Sequence, residues 1–181
     1  EAIKLEAVHC GAFDHGNHHE RSFVPLSAHI RFLLGLCFCE HCMAAAVRAG
    51  VDAERLRADC RERLEAVFAS ASAESHETEV DDGWLRGLAD GELGRYARVR
   101  QQTVASLVDE IARAVHAESP ATKVVYLDPC GATLGYASGR PVTERTAVSI
   151  GWRDGIDLLA ISGVANGLGA IGYYADPVRL E

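Results

Sequence analysis

The sequence has no long hydrophobic run: its most apolar stretch, Phe32 to Cys39, falls far short of the ~20 residues that a membrane-spanning helix requires. Nor does a basic-then-apolar signal stand at its start. No membrane partner is expected, and a cytoplasmic setting is. Positive charge is scarce as well, with 18 Lys and Arg against 26 Asp and Glu and a formal net charge of −8. Proteins that bind nucleic acid regardless of sequence need cations to displace phosphate counterions, so this balance argues against nucleic acid as a partner. Internal repeats and low-complexity tracts are also missing.

What is present is an ordinary globular composition, 48% hydrophobic and 24% charged in 181 residues. A chain of ~150 residues already hides about 70% of its unfolded surface, enough to offset the entropy of ordering. One α/β domain over residues 1–181 is expected. The chain begins on Glu1-Ala2-Ile3-Lys4-Leu5 without Met and ends just after the helix-start pair Asp176-Pro177, so it reads as a fragment of a larger fold. Six cysteines in this length do not make a small secreted disulfide scaffold. Bridges among the three that crowd into positions 37–42 would be strained. Reduced thiols are expected.

Periodicity then lays out the elements. Ile3, Leu5 and Ala7 alternate with Lys4 and Glu6, predicting a strand over 2–9. Residues 10–26 hold Gly11, Gly16, Asn17 and Pro25 and read as a long loop. Glu40 to Ala49 predicts a helix stopped by Gly50, and Asp52 caps a second that runs to Ala71 through Leu56, Cys60, Leu64, Val67 and Phe68. A short helix over 84–90 leads into a long one over 91–118, with Leu93, Tyr96, Val99, Thr103, Leu107, Ile111 and Val115 on one face. Val99, Leu107 and Ile111 are expected to be buried. A strand over 123–128, a mixed apolar stretch over 150–164 that fits helix or strand and is read as helix, and a last strand over 169–174 complete the pattern. Strands alternating with helices predict parallel βα units, read here as part of a (β/α)8 TIM barrel with these strands side by side.

The most specific chemical signal is Cys37-Phe38-Cys39-Glu40-His41-Cys42. Cys-x-Cys-x-x-Cys brings three soft thiolates within reach of one ion, and a helix start favours the ionised form. Zinc is the expected cofactor, in a structural role. A fourth ligand must come from elsewhere: Cys10 first, His41 or His29 second, Cys130 third. The alternative is that the three are small buried apolar residues at a loop-to-helix junction. Cys60, on an apolar helix face, reads as core.

A second group is His9, Asp14, His15, His18, His19 and Glu20, crowded just after the first strand. In a barrel such loops line the active site, so His9, Asp14, His18 and His19 are candidates to grip sugar hydroxyls or another small ligand. The alternative is a solvated polar loop. Glu6 near the first strand end and Asp128 at the second stand where glycosidase acid/base carboxylates sit, and are the candidate catalytic pair. Their bland readings are an ion pair for Glu6 and a turn former before Pro129 for Asp128.

The segment from Cys37 to Ala46 resembles the Cys-aromatic-Cys-x-x-Cys segment of glycoside hydrolase family forty-two β-galactosidases. Leu5-Glu6-Ala7 and the run from Phe13 to Glu20 are similar to segments of related uncharacterised bacterial barrel proteins. The resemblance implies a barrel glycosidase with a structural zinc held by Cys37, Cys39 and Cys42, and an acid/base role for Glu6. The Asn-Glu doublet that precedes the cysteines in those enzymes is missing here, and the gap from Glu6 to Cys37 is longer. Two functions are therefore expected in competition: a carbohydrate-active enzyme domain, or a non-catalytic zinc-stabilised scaffold or ligand-binding module. Cut sheet edges leave pairing with a second copy open.

Overall fold

The computed structural model describes residues 1–6, 8–11, 26–70, 79–128 and 144–170. Among them are three strands, β1 (Ala2–Leu5), β2 (Lys123–Asp128) and β3 (Gly167–Ala170). Seven α-helices accompany them: α1 (Ala28–Leu34), α2 (Glu40–Arg48), α3 (Ala53–Ser70), α4 (Asp82–Gly87), α5 (Glu92–Glu118), α6 (Glu144–Asp154) and α7 (Leu158–Ser162). No described helix is long and apolar enough to cross a membrane. The chain divides into two compact units. A sheet unit is made of Glu1–Cys10 and Gln101–Glu181, and a helical unit of Gly11–Arg100.

In the sheet unit the strands are parallel in the order β1-β2-β3. Ala2 pairs with Lys123 through Leu5 with Tyr126, and Val125 pairs with Gly167 through Asp128 with Ala170. β2 is central, which suits its β-branched and aromatic residues. Val124 and Tyr126 are fully buried, and Tyr126 joins Val104, Val108, Ile156 and Ile161 in one apolar cluster. Asn166 pins the start of the ladder. Its backbone N–H donates to the Val124 carbonyl and its side-chain oxygen accepts the Val124 N–H, both at 2.8 Å.

The expected (β/α)8 barrel is not formed. Three parallel strands among seven described helices are far from eight, and such barrels typically take ~250 residues. The arrangement is α/β, but between β1 and β2 the chain builds five described helices rather than further strands. Strand β1 also stops at Leu5 instead of running to His9. The Val8 carbonyl accepts the Tyr126 hydroxyl at 3.0 Å, so by Val8 the chain bonds to a β2 side chain and not to its backbone.

Helix α6 ends at Gly155, whose φ of +69° closes the helix in the left-handed region while the Ile156 N–H bonds back to the Gly151 carbonyl at 2.7 Å. Asp157 then starts α7, its carboxylate accepting the Leu159 and Ala160 amides at 3.0 and 3.1 Å. One expected helix over 150–164 is thus two. Of the last expected strand, 169 and 170 lie in β3, and the remainder lies outside the described residues, as does Asp176-Pro177.

The helical unit contains an element the sequence pattern left unassigned. Ser27 caps α1 by accepting the Ile30 N–H at 3.3 Å, and Ala28, Ile30, Phe32 and Leu33 are buried. Leu56 and Cys60 of α3, Leu85 of α4 and Leu93, Tyr96 and Ala97 of α5 are buried in the same unit. The face of α5 needs correction. Its buried residues include Leu93, Tyr96, Ala97, Arg100, Val104, Val108 and Ala112, while Leu107 is 47% exposed. Val99 and Ile111 are only half-buried. Arg100 explains the shift: its guanidinium lies 5.6 Å over the Phe32 ring and bonds the Gly35 carbonyl at 3.4 Å. A cation on the inner face reads as solvent in a hydrophobic pattern, and one residue is about 100° of helix.

Candidate functional site

The thiolate segment is held from behind. Gly35 closes α1 by donating its N–H to the Arg31 and Phe32 carbonyls, each at 3.1 Å, and its own carbonyl is held by Arg100. Two residues on, the Cys37 carbonyl accepts the Tyr96 hydroxyl. The Phe38 ring stacks on Tyr96 at 5.4 Å and 14° between planes. Cys39 then becomes the N-cap of α2 in extended backbone (φ −69°, ψ 166°), and its carbonyl accepts the Met43 N–H at 2.9 Å. This places Cys42 one turn into the helix.

The three sulfurs lie within 4.8 Å of one another. Cys37 and Cys39 are exposed and Cys42 is half-buried. The Cys42 backbone amide draws the Cys39 thiol down to about 7, helped by the thiols of Cys37 and Cys42. Burial pushes Cys42 the other way, to about 12, and its two sulfur neighbours add to that. Tyr96 is raised as well, first by burial and then by the nearby negative sulfurs. A cation beside Cys42 would relieve what holds it protonated, since positive charge stabilises the thiolate against burial and against its sulfur neighbours. A tetrahedral zinc with bonds of ~2.3 Å wants sulfurs about 3.8 Å apart, so the observed spacing needs only a small closure.

The expected fourth ligands fare unequally. His29 stacks on Trp84 at 4.1 Å and meets the Glu79 carbonyl through Nε2 at 3.0 Å, a packing role. The exposed His41 ring has Nε2 3.6 Å from Glu40 Oε1. Cys10 belongs to the sheet unit, where it packs on the Tyr126 cluster and donates its N–H to the Asp154 carbonyl at 2.9 Å. Cys130 lies outside the described residues. Cys60 is core, its thiol raised to about 12 by burial.

The second candidate site is the carboxyl-terminal edge of the sheet. Because β1 and β2 are parallel with Leu5 opposite Tyr126, the backbone positions of Glu6 and Asp128 come to one edge. Glu6 is exposed. His9 follows on the same segment, its Nδ1 2.7 Å from the Cys10 carbonyl. Asp14, His15, His18, His19 and Glu20 lie outside the described residues.

No family model, curated protein or solved structure matches this chain. Sequence reasoning missed Tyr96 and Arg100 as supports of the thiolate segment. Tyr96 was legible as a core position of a long helix, but its hydroxyl had no partner within local reach: Cys37 is 59 residues away.

Proposed function

We propose that this chain is a metal-stabilised module in which Cys37, Cys39 and Cys42 hold one zinc ion as a structural clamp. The observation that carries this reading is the convergence of three sulfurs within 4.8 Å at a helix start. Thiolates select zinc over magnesium or calcium, which prefer oxygen ligands. An ion held there ties the end of the α1 segment to the first turn of α2, and its binding free energy adds to folding free energy. The test is metal analysis of protein purified without chelator, followed by thermal unfolding before and after metal removal. About one zinc per chain and a lower unfolding temperature without it are expected. Protein that neither retains zinc nor gains stability from it would overturn the reading.

A second reading is favoured by the shared sheet edge of Glu6, His9 and Asp128. Ligands of open α/β sheets sit outside the carboxyl ends of parallel strands. A carbohydrate there would meet Glu6 and Asp128 as acid/base carboxylates, with His9, Asp14, His18 and His19 gripping hydroxyls. The likeness of the Cys37 to Ala46 segment to family forty-two β-galactosidases supports glycosides as the substrate class. Turnover of aryl glycosides, abolished in Glu6→Gln, is the expected result. No turnover across a panel of sugars would sink it and leave the metal-stabilised module alone.

A further inference from the structure

We propose that Cys39 and Cys42 form a redox-active dithiol that exchanges with disulfide substrates. Cys39-Glu40-His41-Cys42 is a Cys-x-x-Cys unit whose first sulfur stands at the N-cap of a nine-residue helix and whose second lies one turn inside it. The first is exposed and the second half-buried, with the sulfurs within 4.8 Å. The two intervening residues, Glu40 and His41, are both exposed and leave the approach to Cys39 open. This is the division of labour that thiol–disulfide exchange requires: an accessible attacking sulfur and a sheltered resolving one.

The chemistry balances without a cofactor. The Cys39 thiolate attacks one sulfur of a disulfide R–S–S–R′, forming a Cys39–S–S–R bond and expelling R′–S⁻. The Cys42 thiol loses its proton to solvent and attacks the Cys39 sulfur, forming the Cys39–Cys42 bond and expelling R–S⁻. Both leaving thiolates take up protons. The dithiol is oxidised by two electrons and the substrate disulfide is reduced by two. A bridge made on the exposed Cys39 sulfur is itself open to attack, and exposed disulfides are the easily reduced ones, so the cycle reverses when a reducing thiol is supplied. Zinc and the bridge need the same sulfurs and exclude one another.

The experiment uses the full chain, reduced and freed of metal, so its outcome does not depend on the zinc reading. Oxidised glutathione is added and every cysteine is mapped by mass spectrometry. Wild-type protein should form a Cys39–Cys42 disulfide, and Cys42→Ser, which removes the resolving sulfur, should trap glutathione on Cys39 in excess over Cys37. Cys60, buried in the helical unit, should stay unmodified and so report that each sample is folded. A wild-type bridge between Cys37 and Cys42, equal adducts on Cys37 and Cys39, or folded protein that forms no bridge would each overturn the proposal.

Discussion

Two tyrosines, one in each unit, do the same thing with different consequences. The rings of Tyr96 and Tyr126 are both fully buried, and both hydroxyls donate to the backbone carbonyl of a segment that carries candidate chemistry. Tyr126 holds Val8, but the next turn of that segment is fixed independently, by the Cys10 N–H on the Asp154 carbonyl. Tyr96 holds Cys37 through its hydroxyl and Phe38 through its ring, so one side chain supports the thiolate approach twice over. In the sheet unit a backbone bond of another residue holds the next part of the segment; in the helical one the same side chain also holds the neighbouring ring.

The largest effect should come from removing either ring. Tyr96→Ala and Tyr126→Ala are each expected to cost about 3–5 kcal/mol in urea unfolding, because each empties a buried aromatic site. Losses well under 1 kcal/mol would show that neither ring organises its unit. Next comes Cys39→Ser, which removes one of three thiolates and should weaken zinc binding roughly a hundredfold in competition with a chromogenic chelator. Unchanged affinity would mean that the ion, if bound, sits elsewhere.

The comparison itself is sharpened by the hydroxyls alone. Tyr96→Phe and Tyr126→Phe should each cost about 1 kcal/mol of stability, the usual net worth of such a bond. Only Tyr96→Phe should also loosen zinc, by roughly tenfold, as expected when a group supporting a ligand is lost. Equal effects of the two on zinc would break the comparison.

The smallest effect concerns pH. Cys39, held low, contributes stability that is complete above the ordinary thiol value of 9.0 and is lost as pH falls through about 7. Cys42, held high, contributes below 9.0 and loses that contribution as pH rises toward about 12. Between pH 7 and 9 only Cys39 binds protons differently in the folded and unfolded chain, so metal-free protein should gain unfolding temperature as pH rises across that window and lose it again above 9, where Cys42 takes over. Over the same range iodoacetamide should label Cys39 with a midpoint near pH 7, well before Cys42. Labelling of both with one midpoint would show that the two sulfurs share one environment.

What was legible in the sequence was local. The thiolate segment occupies six consecutive residues, so its spacing and its place at a helix start could be read directly. The parallel pairing of β1 with β2 followed from strands separated by helices, and the pairing is parallel. The number of strands is not a local property, and a pattern of alternating elements does not say how many helices one crossover holds. That is why a barrel was expected where a three-stranded sheet stands. Arg100 misled the reading of α5 for a related reason: the Phe32 ring and the Gly35 carbonyl, which help make a buried cation reasonable, lie 65 or more residues back.

The helical unit is one continuous stretch of chain, whereas the sheet unit is written in two pieces around it. On a ribosome this sets an order of events. Val8 must wait for Tyr126, 118 residues later. At 5–20 residues per second that is a delay of roughly 6 to 24 s. Everything that positions the three thiolates, up to Tyr96 and Arg100, has been synthesised before β2 begins, so the sulfurs can assemble while β1 is still without its neighbour. An unpaired strand in a crowded cell is an invitation to aggregate, and charged residues beside apolar ones are the usual protection. Lys4 and Glu6, exposed on either side of Leu5, are charges of that kind on the strand that waits.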